Sequence, residues 1–588
     1  MAKPSSFALI AVIQSLLLFS GQTVLGTVAV SAASAQVKEE KAESFADLVD
    51  RYFDFCFAMS PNWGSQAGFH QYDRMVEDFS PAAIKKNIEK LKVFETRFDA
   101  PYPGLSRSEK LDLEMLRAAV KAQLFDLTQY QSYVIDPDKY SSYVGDCVFT
   151  LVKRDFAPLP QRLESAICRM EAVPAVLDCA RVNLKAERVP KIYAEIALEQ
   201  IPGTIEMFKT TIPQAFASVK DPVLQARFEK ARQKVVASLT DYEKFVRSSI
   251  LPKCKESFAI GKDYFAKKLL YEEMEDEALD SLLARGYKEL ARLKGRFTEV
   301  AAEIDASKTP SEVFSSIASD HPQARQLISS TSACLDRLAR FCEDRKIVSL
   351  PVCEKLTVAE TPAFERALTF ASMDTPGPYE KTAKEAYYYV TPAEADWDAK
   401  RVEEHLRFYS YADIINTSVH EAYPGHYVQF LWVKNAPSKV RKLIGCSSNA
   451  EGWAHYCEEM MLENGLTISG EAPDRKLTMV QLHDALLRVC RYIVGIEMHT
   501  KGMTFKQGVA FFMKEGFMEE ANALRETKRG TKDPTYLVYT LGKLKILSLR
   551  DEYKTKVGPA FTLQDFHDRF LKCGFPPLKI VRSEVLGE

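Results

Sequence analysis

The sequence predicts a mainly α-helical protein carrying one small β-sheet. Three observations point there. Apolar residues recur at three- and four-residue spacing, with charged faces between, over 42–58, 81–97, 107–131, 158–187, 221–248 and 273–305. Between about 352 and 392 the texture changes to short β-branched or aromatic runs bounded by Pro and Gly. Helical periodicity then resumes, roughly at 396–416, 417–434, 448–464, 473–500, 504–515 and 533–556, with a last helix near 563–573.

Each element has a local reason. In the first group Asp or Ser often precedes the apolar run, as in Ser80-Pro81, which suits a capped start with proline in the first turn. The charged runs Lys85-Lys-Asn-Ile-Glu-Lys and Glu272-Glu-Met-Glu-Asp-Glu read as solvated helix faces. The sheet is expected from Val358-Ala-Glu-Thr-Pro, Ala367-Leu-Thr-Phe-Ala and Ala386-Tyr-Tyr-Tyr-Val, with Asp374-Thr-Pro-Gly-Pro as a loop between two strands. Gly574-Phe-Pro-Pro stops the terminal helix. The organisation is a helical N-terminal lobe (about 42–350), a small sheet (about 352–392) and a second helical lobe (about 396–585).

Ahead of these lies a different kind of segment. Lys3 precedes an apolar run from Phe7 to Phe19, and Ala33-Ser34-Ala35 has the small-x-small form of a cleavage site. Residues 1–35 therefore read as a signal peptide and the protein as exported, periplasmic or secreted; an uncleaved N-terminal membrane anchor is the alternative. No cysteine stands near the cleavage point to take a lipid. Beyond residue 36 no apolar run is long enough to span a bilayer. A formal charge of −2 over 588 residues excludes a broad nucleic-acid surface, which demands a large basic excess. Hydrophobic content of 46% and charged content of 27% are those of an ordinary globular protein. The twelve cysteines are scattered, without Cys-x-x-Cys, and several fall within apolar helical patterns, so they read as small buried hydrophobes rather than a disulfide framework.

Residues 420–426 read His-Glu-Ala-Tyr-Pro-Gly-His, and Glu451-Gly-Trp-Ala-His follows. Two imidazoles and a carboxylate are the three protein ligands of a catalytic zinc site, which leaves a fourth position for water. His420, His426 and Glu451 are accordingly the expected ligands of one zinc ion, with Glu421 as the general base beside it. The spacing is unusual: six residues on an ideal helix turn through about 240°, onto different faces. Pro424 removes a helical N–H and Gly425 tolerates unusual angles, so this pair is where the helix is expected to bulge and return His426 to the face of His420. Six of the nine histidines (His405, His420, His426, His455, His483, His499) fall within 95 residues, as a metal site would produce. His455, four residues after Glu451, is either a neighbour of the site or a core histidine. The strand Ala386-Tyr-Tyr-Tyr-Val has two readings: a substrate-aligning edge, or an aromatic strand packing the sheet.

These motifs, His420-Glu-Ala-Tyr-Pro-Gly-His426 and Glu451-Gly-Trp-Ala-His-Tyr-Cys-Glu458, resemble the signature of the DUF885 proteins, over about 42–585 of this chain. The resemblance implies a zincin-like helical fold with a deep cleft, related to metallopeptidases. It also implies roles for Arg491 and His499, eight residues apart, and for Tyr539-Thr-Leu-Gly542 with Leu549-Arg550. Tyr539 or His499 would stabilise the oxyanion opposite the metal. This chain departs from the pattern at Gly495 and Glu497, at Asp533-Pro-Thr-Tyr, and at Tyr427, where another histidine is common. The expected function is an exported zinc-dependent peptidase acting on oligopeptides. The alternatives are a metal-dependent amidohydrolase on a non-peptide or cell-wall amide, and a catalytically idle peptide-binding protein. An intact Glu421 argues against the idle version. Endo- or exo-action, the native metal and the oligomeric state are not legible in the sequence.

Overall fold

The computed structural model describes residues 44–588, apart from 352–355, 362–365, 367–369, 395, 469 and 471. The expected signal peptide, Cys353 and most of the expected strand at 367–371 lie outside these residues. Helices form where periodicity predicts them, with ends set by caps. Ser44 accepts from the Asp47 N–H to start Phe45–Met59, and Ser106 with Glu109 forms a reciprocal capping box on Arg107–Phe125. Asp221 caps Pro222–Phe245 in the same way, whereas Pro81–Asp99 and Leu159–Asn183 open on a proline in the first turn without a side-chain cap. The helix expected from 273 begins instead at Leu279, because Met274 takes a left-handed φ of 51° and separates it from Gly261–Glu272. Asp138–Phe149, Lys191–Lys209, Leu327–Asp344 and Leu578–Leu586 are helices beyond those expected. Pro202 sits inside Lys191–Lys209, whose apolar face packs firmly enough to keep the helix.

The small sheet has three strands, β1 (Leu356–Glu360), β2 (Ala371–Asp374) and β3 (Ala386–Val390), in the order β1-β3-β2. β3 pairs parallel with β1 and antiparallel with β2, so it is the central strand and offers no edge to a substrate. Tyr388 points into the core, while Tyr387 and Tyr389 stack on each other on the opposite face. The packing reading of this strand therefore holds, and the edge reading is corrected. β2 also begins later than expected and takes in Asp374, at the start of the expected loop.

Three apolar cores organise the chain. One gathers helices from Phe79 to Ile250; another ties the first helices to Val440, Leu443 and Ile580 of the C-terminal lobe. The largest runs from Phe265 to Leu586 and encloses the sheet, so its helices begin nearer 260 than the expected lobe boundary at 350. At its centre Ser447–Glu463 packs on Val538–Val557. A Cβ at Gly452 would meet the Gly542 Cα at 2.5 Å, and one at Gly542 would meet the Ser448 carbonyl oxygen at 1.9 Å. Two facing glycines thus allow backbone to touch backbone. The run expected to be a solvated face at 272–277 is partly internal: Glu273 is buried and accepts from the N–H groups of Ser447 and Ser448, at 3.2 and 2.9 Å. A carboxylate there satisfies the unpaired donors that open Ser447–Glu463. Glu275 is buried too, paired with Lys545.

Gly542→Ala should lower stability by about 1–3 kcal/mol or more, because its new Cβ meets main chain that cannot move aside. Gly295→Ala, on an open helical face, should stabilise by about 0.5–1 kcal/mol. Thermal unfolding of the two variants checks the contrast.

Candidate metal centre

His420 lies in the last turn of Tyr411–Glu421. A second helix, His426–Val433, begins five residues after that one ends. The expected bulge within one helix over 417–434 is therefore corrected to a complete break. Pro424 supplies no N–H to continue the ladder, and the Tyr423–Pro424 peptide is cis. Gly425 has an ordinary φ of −66°, so its left-handed freedom is not what the site uses. A Cβ there would lie 1.8 Å from the His420 carbonyl oxygen and 2.4 Å from that of Val419. Only a residue without a side chain can fold back this closely, and its N–H then donates to the Val419 carbonyl at 3.0 Å. The turn is held from the second motif: Trp453 Nε1 donates to the Pro424 carbonyl at 2.9 Å.

His426 consequently meets His420, with ring centroids 4.8 Å apart and planes at 89°. Glu451 Oε2 stands 3.5 Å from His420 Nε2 and 3.6 Å from His426 Nε2. A tetrahedron with metal–ligand bonds of about 2.1 Å has edges of about 3.4 Å, so these separations are those of ligands around one small cation. All three side chains are buried, and their donor atoms lie within 4.8 Å of one another. Glu451 Oε2 is buried with no hydrogen-bond partner among the described residues. A buried carboxylate oxygen aimed between two imidazole nitrogens fits a divalent ion.

A further layer orients this triangle. Glu451, His455 and Glu458 occupy one face of Ser447–Glu463 at spacings of four and three. Glu458 Oε1 accepts from His420 Nδ1 at 2.7 Å, which turns Nε2 toward Glu451. Its other oxygen pairs with His455 Nδ1 at 3.2 Å, and Arg488 Nη2 lies 3.1 Å from Oε1. His455 is thus a neighbour that acts through Glu458. The ring of His426 is set by stacking on Phe430, 5.8 Å away at 15°.

Charges follow the same arrangement. Burial pushes the His420 imidazole down, but Glu451 and Glu458 outweigh it and raise it to about 9. Burial works against ionised Glu451, yet the two imidazoles hold its carboxyl well below the usual range. Glu458 is likewise held low against burial by Arg488 and His455. His455 itself is lowered by burial to about 4.

The remaining sequence candidates divide. Glu421 follows His420 directly, is half-buried, and lies close enough to Tyr388 for its charge to raise that phenol beyond the effect of burial. Tyr539 is brought to the site: burial, then the nearby Glu451 carboxylate, raises its phenol. Arg491 is committed to Glu526 through two bonds, at 2.6 and 2.9 Å, and lies over the Tyr539 ring. It neighbours the site without reaching the triangle. His499 is corrected as an oxyanion donor. It lies three turns beyond Arg488, roughly 16 Å along the same helix. Both ring nitrogens are engaged by main chain, with Gly530 at 2.7 Å and Ile260 at 3.4 Å. His405 binds the Thr391 carbonyl and His483 stacks on Phe314, so three of the six clustered histidines belong to the core. Sequence reasoning assigned no role to Glu458, although seven residues from Glu451 is two helical turns and was readable. Arg488 left no such signal. The eleven cysteines among the described residues are free; eight are buried, as their reading as small hydrophobes expects, and Cys168, Cys179 and Cys254 are half-buried.

Glu458→Gln should weaken zinc binding about 10–100-fold by removing the anchor of His420. Gly425→Ala should weaken it at least as far, with helical content retained. Competition with a chromophoric chelator, beside circular dichroism, measures both.

No curated protein matches the chain. Among solved structures it is similar to a candidate lipoprotein of unknown function from Shewanella oneidensis, at 26% identity and a TM-score of 0.77, covering 92% of this chain and 99% of that one. It shares its fold with a candidate lipoprotein from Colwellia psychrerythraea, at 17% identity and a TM-score of 0.75, over 90% of this chain and 96% of that one. A family model described as bacterial protein of unknown function matches residues 61–585. The histidine-rich turn and the glutamate helix that closes on it thus sit within a chain that belongs to the DUF885 family.

Proposed function

We propose that this chain is an exported zinc-dependent hydrolase of peptide bonds acting on oligopeptides. The observation that carries this is the triangle of His420 Nε2, His426 Nε2 and Glu451 Oε2, with edges of 3.5 and 3.6 Å and an unsatisfied carboxylate oxygen. Two neutral imidazoles and one carboxylate are the donor set of catalytic rather than structural zinc. When bound there, zinc lowers the pKa of water toward 7 and polarises a carbonyl.

The chain's own residues supply the rest. Glu421 is the base that takes a proton from the attacking water and passes it to the leaving amine. Its place next to His420, outside the His420–His426–Glu451 set, supports that role. Glu458 keeps the His420 Nδ1 proton and so fixes the tautomer that leaves Nε2 as a donor to the metal. Tyr539 keeps its phenol proton at neutral pH and accepts from Arg529 Nη2 at 3.2 Å, which leaves its own O–H to donate to an oxyanion. Export rests on the N-terminal apolar run with its small-residue site, and on the lipoprotein descriptions of the two similar structures. No helix among the described residues is long and apolar enough to cross a membrane.

Glu421→Gln should lower kcat/KM for peptide cleavage by about 10²–10⁴-fold while zinc content stays at one per chain. Cleavage of a mixed peptide library, with elemental analysis of the same samples, is the measurement. Undiminished activity in the variant, or no zinc retained after metal-replete purification, would overturn the reading.

A further inference from the structure

The helix Glu520–Lys532, with Arg491 of Arg475–Thr500, places three guanidiniums around one carboxylate beside the candidate metal centre. Glu526 keeps only 12% of its side chain exposed, and against the cost of that burial Arg491, Arg529 and Arg525 together hold its carboxyl below the usual range. Arg491 takes both of its oxygens. Arg529 turns to Tyr539, and its own acid, Asp533, stands 3.6 Å away with 44% of its side chain exposed. Arg525 has a buried Nε with no hydrogen-bond partner among the described residues, and its guanidinium lies 5.5 Å from the Phe370 ring centre. Three positive charges thus share one largely covered and one solvated negative charge. A guanidinium withdrawn from water without a counter-ion is costly, and a bound anion relieves that cost. The planar fork of arginine suits a carboxylate in particular.

Position gives the cluster its meaning. Arg491 and Arg529 lie 5.2 and 5.8 Å from the Tyr539 ring centre. Arg488, at 5.9 Å from the same ring, lies 3.4 Å from His420 Nδ1. Tyr539 therefore separates Arg491 and Arg529 from the candidate ligands, and Arg525 lies one turn before Arg529 on the same helix. An extended peptide advances about 3.5 Å per residue, so an anion held here would stand roughly one to three residues from a carbonyl at the metal. Arg529 keeps 22% of its side chain exposed, which leaves the cluster reachable from solvent.

We propose that Arg525 and Arg529, backed by the Arg491–Glu526 pair, form a carboxylate-binding subsite for the C-terminus of a short peptide, making the chain an exopeptidase at that end. This rests on the hydrolase reading given above. The C-terminus is favoured over an acidic side chain because every peptide carries it at a fixed distance from its last bonds.

The test uses the full chain as zinc-loaded Glu421→Gln, titrated calorimetrically with Gly-Phe-Phe, its C-terminal amide, and Gly-Phe-Asp amide. The acid should bind about tenfold or more tighter than its amide. That gap should close in an added Arg525→Gln and return in part with Arg525→Lys. Equal binding of acid and amide, or a gap untouched by Arg525→Gln, overturns the subsite. Tight binding of the Asp amide overturns the C-terminal assignment. Cleavage by the chain with Glu421 intact is read separately. Acid preference without cleavage removes the hydrolase reading and keeps the subsite; cleavage without preference does the reverse.

Discussion

The main chain at Gly425 lies against the carbonyl of His420 so closely that a Cβ would sit 1.8 Å from its oxygen, and the candidate metal centre depends on that contact. A continuous helix would point the two imidazoles about 240° apart. Ending one helix and starting another within this contact brings the rings to 4.8 Å. The second motif then serves the first twice over. Trp453 holds the Pro424 carbonyl, and Glu451, two residues earlier on the same helix, reaches between the imidazoles. The Glu-Gly-Trp sequence carries a candidate ligand and a clamp on one turn. Glu273, from far upstream, fixes where that helix begins.

Burial makes this arrangement electrostatically demanding. Glu451 and Glu458 are both withdrawn from water, and each ionised carboxylate so placed carries a penalty of several kcal/mol unless paired. Glu458 is satisfied by Arg488 and two imidazoles. Glu451 Oε2 has only the ring nitrogens at 3.5 and 3.6 Å. Without a cation the two carboxylates raise His420 to about 9, so the ring itself carries the compensating charge. A divalent ion would take over that charge and release the proton, which couples metal uptake to proton loss. The buried acids are therefore arranged for a positive charge at the centre of the triangle, whichever species carries it.

Much of this was legible in the sequence, and the remainder fails for identifiable reasons. Periodicity locates the long amphipathic helices, and the three candidate ligands are readable because their residue types are rare in such a pattern. The break at 422–425 reads in sequence as a bulge because Pro and Gly announce a disturbance but not its size. Gly425 reads in sequence as backbone freedom, whereas the cause is a contact with a carbonyl five residues back, which no local pattern encodes. His499 looked like Tyr539 as a candidate, since spacing along a helix does not say which face meets the metal. Glu273 sat in an acidic run that resembles any solvated face; only the position of the Ser447–Glu463 terminus reveals its role. Arg488 and Arg525 are ordinary helical arginines until tertiary packing withdraws them from water.

The pairing of Gly452 with Gly542 bears on chemistry as well as packing. Helices with ordinary side chains at their contact lie about 8–10 Å apart. Removing both Cβ atoms where Ser447–Glu463 crosses Val538–Val557 lets the two backbones touch. Glu451 immediately precedes Gly452, and Tyr539 lies one turn before Gly542. The closeness of the crossing therefore sets how near the Tyr539 phenol comes to the Glu451 carboxylate, which is near enough to raise it. Tyr-x-x-Gly and Glu-Gly are two halves of one contact, in which each glycine carries its neighbour's side chain toward the metal centre. Gly425 works by the same rule on the other side of the site. In each case a functional group reaches its place because the residue beside it has no side chain.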